Sequence, residues 1–246
     1  MGEIEHLDVG GRSIAYRLRR GNVPALLFLP GYASDMEGTK AVALDRFAAD
    51  RRVGMVRFDY SGTGSSGGSF EQGTLALWLE EAVAAVDRLT KGPLVVVGSS
   101  MGGWIALHLA LLRRQRVKAV VGIAAAPDFT EWGFSSDQKS RLKRDGRIEE
   151  ANPYGAEPSV FTRAFWDSGQ RLRLLGAEIA IEAPVRLLHG EADQEVPLDV
   201  AFRLMRQLRS SDVQLNVLKG GGHRLSEPHE IRALLDTVEK LLEPIA

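Results

Sequence analysis

The chain has 246 residues, 44% of them hydrophobic, and 31 Lys and Arg against 32 Asp and Glu leave a formal net charge of -1. That is enough apolar material for one large domain with a dry core, and the even charge supplies no field of one sign to gather nucleic acid or an anionic membrane surface. The absence of cysteine excludes disulfides, a thiolate nucleophile and cysteine-ligated zinc or iron-sulfur clusters.

Met1 to Leu18 mixes Glu3, Glu5, Asp8 and Arg12 with isolated apolar residues. No apolar run approaches the ~18 residues a membrane span needs, so the expectation is a cytoplasmic protein without stable membrane insertion. Ile4–Val9 and Ser13–Leu18, joined through Gly10-Gly11, read as an antiparallel edge hairpin. Ala25–Leu29, Val53–Phe58, Leu94–Val97, Val117–Ile123, Val185–Leu188 and Val213–Leu218 are short, branched, nearly continuous apolar runs suited to central parallel strands. Between them Leu75, Trp78, Leu79, Ala82, Val83 and Val86 recur at helical spacing, as do Ile231, Leu234, Leu235, Val238, Leu241 and Leu242. Strand-length and helix-length runs in alternation predict an α/β fold, with a mostly parallel sheet covered by helices on both faces.

The rhythm breaks from Asp128 to Glu182. Arg141–Glu150 is charged, Asn152-Pro153 and Glu157-Pro158 punctuate, and Val160–Leu175 reads as one helix. We therefore expect a core of residues 1–127 and 183–246 carrying a small helical cap, residues 128–182.

Gly98-Ser99-Ser100-Met101-Gly102 fits G-x-S-x-G, but so does Gly64-Ser65-Ser66-Gly67-Gly68, and with 26 glycines the pattern alone decides nothing. Context separates them. Ser100 stands between the strand Leu94–Val97 and a helical run from Met101, whereas Ser66 lies in a glycine-rich loop well past Phe58 with no helix starting beside it. A strand, sharp turn and helix hold a serine oxygen clear of the sheet, and Gly98 and Gly102 let neighbouring backbone pass.

A serine hydroxyl needs a base, and the base needs an orienting acid. Of five histidines, His6 lies on the edge hairpin, His108 on the helix after Ser100, His189 at a strand end and His229 at the start of the last helix. His223 follows the last strand through Gly220-Gly221-Gly222, a loop able to deliver an imidazole to Ser100. After the preceding strand, the stretch from His189 to Pro197 offers Glu191, Asp193 and Glu195; Asp193 is best placed, with the two glutamates as solvated charges and Asp199 as the next helix cap. The chain order serine, acid, histidine is that of α/β-hydrolases. An oxyanion hole would draw on the backbone amides of Met101 and of Tyr32, in the loop Pro30–Ser34.

Pro30–Ala41, Arg57–Gly68, Gly92–Trp104 and Arg186–Pro197 together resemble the mitochondrial palmitoyl-protein thioesterase and acyl-glucuronide esterase branch of the α/β-hydrolase-domain proteins. The resemblance implies an eight-stranded sheet, a small cap, no cofactor or metal, and an ester or thioester substrate on a small molecule or an acylated protein. Ser100, Asp193 and His223 match its triad positions.

Two rivals are weighed. Gly62-Thr63-Gly64-Ser65-Ser66-Gly67 also satisfies G-x-G-x-x-G, but a dinucleotide site needs a helix opening at those glycines, and the helical pattern starts only near Thr74. A catalytically idle scaffold used for binding has no need to keep all three residue types in their loops; peptidase or carbon-carbon bond hydrolysis would use the same triad. In the segment 128–182, Phe129, Trp132, Phe134, Phe161, Phe165 and Trp166 suit either an acyl chain or simple packing, and Arg163, Arg171 and Arg173 receive no role.

Because an imidazole base must be unprotonated, turnover is expected to rise as the pH passes the ordinary imidazole range near ~6.5. A pH-rate profile that stays flat from about pH 5 to 8 would exclude a histidine base.

Overall fold

The computed structural model describes residues 2–152 and 157–243. In chain order the elements are β1 (Glu5–Val9), β2 (Arg12–Arg19), β3 (Asn22–Leu29), α1 (Thr39–Arg51), β4 (Val53–Phe58), α2 (Leu75–Leu89), β5 (Leu94–Ser99), α3 (Met101–Leu112) and β6 (Val117–Ile123). There follow α4 (Phe129–Trp132), α5 (Ser136–Asp145), β7 (Arg147–Glu150), β8 (Ser159–Thr162), α6 (Arg163–Arg171), β9 (Val185–Gly190), α7 (Leu198–Gln207), β10 (Val213–Leu218) and α8 (Pro228–Leu242). Eight strands form one sheet in the order β1-β2-β4-β3-β5-β6-β9-β10. The β1–β2 and β2–β4 pairs are antiparallel and the rest parallel.

The central strands are largely apolar because both faces are covered, with Arg57, Lys118 and Arg186 as charged exceptions. Along β3, Leu27 and Leu29 enter the core under α2 and α3, while Leu26 and Phe28 enter the core under α1 and α8. This period-two division recurs in β5, where Val96 faces the first core and Val95 and Val97 the second. The amphipathic stripes of α2 and α8 are buried as their spacing requires, with Trp78 and Val86 on one helix and Leu234 and Val238 on the other. No helix among the described residues is long and apolar enough to cross a membrane.

The stretch between β6 and β9 differs from expectation in one respect. It is not wholly helical: β7 and β8 form an antiparallel hairpin, pairing Arg147 with Thr162 and Glu150 with Ser159. The single helix expected over Val160–Leu175 is therefore a strand through Thr162, a cap at Thr162 whose hydroxyl accepts from the Phe165 amide, and α6 ending at Arg171. The four residues Ser159–Thr162, all half-buried, are too short a run to read against the helical periodicity that follows them. Pro153 lies outside the described residues.

A buried carboxylate ties the two ends of this stretch together. Asp128, at 5% exposure, accepts from the amides of Leu174 (2.7 Å) and Leu175 (2.8 Å). Replacing Asp128 by Ala would leave both amides without an acceptor, so Asp128→Ala should destabilise the protein by about 2–4 kcal/mol, with Asp128→Asn intermediate. Thermal and urea melts of the two variants beside the parent measure this, and parent-like melts would remove Asp128 from the account.

Candidate active site

Ser100 stands alone between β5 and α3 with φ 53° and ψ −118°, a backbone conformation that a residue with a side chain adopts only under constraint. The constraint is visible. The Ser100 amide donates to the Ile123 carbonyl (2.8 Å), and the Ser100 carbonyl accepts from Gly103 (2.9 Å) and Ala126 (3.1 Å). The flanking glycines are steric necessities: a Cβ on Gly98 would sit 2.2 Å from the Gly102 carbonyl oxygen, and one on Gly102 would sit 2.1 Å from that of Leu29.

The loops after β9 and β10 meet this turn. The Nδ1 of His223 lies 2.9 Å from Asp193 Oδ2, and its Nε2 lies 3.1 Å from Ser100 Oγ. With Nδ1–H donating to the carboxylate, Nε2 presents its lone pair to the hydroxyl, the tautomer a general base requires. Asp193 Oδ1 accepts from the amides of Glu195 and Val196, both at 2.9 Å. Burial pushes the Asp193 carboxyl up, but the His223 contact and those two amides outweigh it and hold the group below its ordinary value. Asp193 therefore stays ionised beneath His223 and favours the imidazolium that proton transfer creates.

The other candidates separate cleanly. Ser66 accepts from the Ala15 amide (2.7 Å) and donates to the Asp59 carbonyl (2.7 Å), so it staples its loop to β2. The glycine loop around it closes on itself through Gly62 N–H to Gly67 carbonyl (2.9 Å), and α2 opens only at Leu75. His6 bonds the Ser13 hydroxyl (3.0 Å), His108 donates to the Leu172 carbonyl (2.8 Å), and His229 lies exposed at the start of α8. Glu191 accepts from the Gly220 amide, and Asp199 sits within the first turn of α7 rather than capping it. Glu195 Oε2 is 3.8 Å from His223 Nε2, on the solvent side of the histidine.

His189 has a role that sequence reading missed. It is 1% exposed, donates through Nε2 to the Val196 carbonyl (2.8 Å), and lies 3.6 Å from Asp193 Oδ2. It thereby braces the turn whose amides grip Asp193. The available signal was its place on a buried strand one loop before the acid.

Met101 follows Ser100 directly, and Gly31, the residue before Tyr32, packs against the serine: a Cβ on Gly31 would lie 3.4 Å from Ser100 Cβ. Among the described residues neither the Met101 nor the Tyr32 amide makes a backbone hydrogen bond. The Tyr32 side chain points away to another task, donating to the Val160 carbonyl of β8 (2.6 Å) and packing against Phe70, Phe161 and Phe165. Burial, with a smaller push from Glu71, keeps its phenol protonated far above the usual range.

Ser100 and His223 open into a cavity of about 750 Å³. Phe129, Trp132, Phe134 and Phe161 give it an apolar wall; Asp35, Lys40, Glu195 and Arg224 line it elsewhere. Phe165 and Trp166 are packing residues, the first in the main core and the second in a satellite core with Leu142 and Ile148. Arg163 and Arg173 pair with Asp167 and Glu131, and neither they nor Arg171 lines the cavity.

The model of the alpha/beta hydrolase family matches residues 26–234. The chain belongs to that family and is a hydrolase. It is 34% identical over 238 residues to the human protein named palmitoyl-protein thioesterase ABHD10, mitochondrial, covering 95% of this chain and 78% of that one. The solved structure of alpha/beta hydrolase domain-containing protein 10 from mouse superposes with a TM-score of 0.93 at 31% identity, covering 100% of both chains. A solved structure from Agrobacterium vitis S4 is 39% identical with a TM-score of 0.92, covering 98% of each.

If Asp193 orients and charges His223, Asp193→Asn should leave the fold intact and reduce kcat by about 10²- to 10⁴-fold, since the amide favours the wrong tautomer. Steady-state kinetics beside a thermal melt decide it; an active, well-folded Asp193→Asn would assign the acid elsewhere, with Glu195 next to be tested.

Proposed function

We propose that the protein hydrolyses carboxylic esters or thioesters through a covalent acyl-enzyme on Ser100. The observation that carries this reading is the continuous chain Asp193, His223, Ser100 at 2.9 and 3.1 Å, opening into a cavity with one aromatic wall.

In this mechanism Ser100 Oγ attacks the acyl carbon while His223 Nε2 takes its proton. The amides of Met101 and Tyr32 receive the oxyanion. Collapse expels the alcohol or thiol, which takes the proton back from His223. Water then enters, gives its proton to His223 and attacks the acyl carbon, and the acid departs as Ser100 regains its hydrogen.

Residues 128–182 act here as a cap, and the wall from Phe129 to Phe161 receives the acyl chain; the name of the human relative, a palmitoyl-protein thioesterase, supports a long apolar chain and a thioester leaving group. Transition-state binding of the acyl chain is expected to show in kcat/KM rather than in KM alone.

Hydrolysis of p-nitrophenyl esters from acetate to palmitate, and of the matching acyl thioesters, tests the reading. A fluorophosphonate probe should add to Ser100 by mass spectrometry, and Ser100→Ala should lose labelling and at least about 10³-fold in rate. Absence of both labelling and turnover in the parent would instead identify an idle hydrolase scaffold used for binding.

A further inference from the structure

Lys40 is the second residue of α1, yet its ammonium is spent on the other end of the chain. Nζ donates to the main-chain oxygen of Arg224 and lies 3.5 Å from the Ser226 hydroxyl. It also lines the cavity that holds Ser100 and His223. Most lysines keep the ammonium in water; this one is largely withdrawn from it and faces two neutral oxygens.

The loop it grips carries His223. Three glycines, Gly220 to Gly222, precede the histidine, so the local chain does little to fix the imidazole. Upstream, the loop is fastened to the acid-bearing loop: the Ala192 amide donates to the Gly221 carbonyl (2.9 Å) and the Gly220 amide to Glu191 (3.1 Å). Downstream, the carbonyl oxygen of the next residue, Arg224, takes both the Lys40 ammonium and the Ser226 hydroxyl (3.0 Å). The next residue, Leu225, sits at φ 42°, a left-handed conformation that persists only where the surroundings impose it.

We propose that Lys40 is a positioning residue for the hydrolysis, clamping the carbonyl of Arg224, the residue after His223, to the start of α1 and so setting the imidazole against Ser100. The proposal rests on the acyl-enzyme reading above. It also links the two halves of the site, because α1 begins at the end of the β3–α1 loop that supplies the Tyr32 amide.

Burial pushes the Lys40 ammonium down to about 8, Arg224 adds repulsion, and Glu230 opposes both. His223 in the gripped loop, with Asp35 and Glu195, lines the same cavity as Lys40. Below about pH 8 Lys40 is charged and its hydrogen bond to the carbonyl is at full strength; above it the neutral amine donates about half as strongly. The clamp thus weakens as pH rises through 8, which adds a falling limb above the rising limb of the imidazole.

The test is the pH profile of kcat and of KM for the parent, Lys40→Met and Lys40→Arg, with Ser100→Ala as the background and thermal melts beside each. Lys40→Met should lower kcat about 10- to 100-fold with little change in KM, and lose the falling limb. Lys40→Arg should recover most of kcat and carry the limb beyond the measurable range, since a guanidinium stays charged. A Lys40→Met with parental kcat and limb overturns the proposal, and so does a Lys40→Arg whose limb still falls near pH 8, the decisive variant should Lys40→Met fail to fold. Turnover retained in Ser100→Ala would refute the acyl-enzyme itself and take the clamp with it.

Discussion

The site depends on one close approach of backbone to backbone. At the end of β5 the chain turns into α3 within a single residue, and Gly98 and Gly102 pass so near to other main-chain atoms that a methyl group on either would overlap a carbonyl oxygen. Ser100 absorbs the turn at φ 53°, and bonds from Ser100 to Ile123, Gly103 and Ala126 hold it there. Such strain persists because the sheet surrounding it is packed on both faces. A hydroxyl lifted clear of the sheet, with the first amides of a helix beneath it, is the consequence.

The acid and the histidine that meet Ser100 arrive on loops, and these loops are held by polar contacts as well as by the buried side chains of Val196 and Leu225. Asp193 is fixed by two amides, His189 braces that turn, Glu191 and Ala192 tie the acid loop to the histidine loop, and Lys40 holds the far side. Burial alone would raise the Asp193 carboxyl; the donors around it reverse the sign. Charge is thereby maintained next to the imidazole in a place where water is scarce, and the same withdrawal from water lowers Lys40.

Tyr32 shows how one residue joins the site to the stretch above it. Its neighbour Gly31 packs beside Ser100, while its ring and hydroxyl reach β8, Phe161 and Phe165. Asp128 joins the two ends of that stretch through Leu174 and Leu175.

By itself the sequence determined most of the sheet and picked out the serine, acid and histidine that the structure brings together. Val53–Phe58 and Val117–Ile123 occupy the strands their apolar runs predict, because a strand covered on both faces admits little else, whereas Val213–Leu218 is the edge strand β10 rather than a central one, with Gln214, Asn216 and Val217 exposed. It also distinguished Ser100 from Ser66, since only one of them joins a strand to a helix. The β7–β8 hairpin was not legible, because four-residue strands carry too little periodicity to compete with the helix that follows. Nor were His189 and Lys40, whose partners lie at Val196 across a turn and at Arg224, 184 positions away. Local pattern records which face of an element is buried; only the tertiary structure decides which distant carbonyl a buried donor will find.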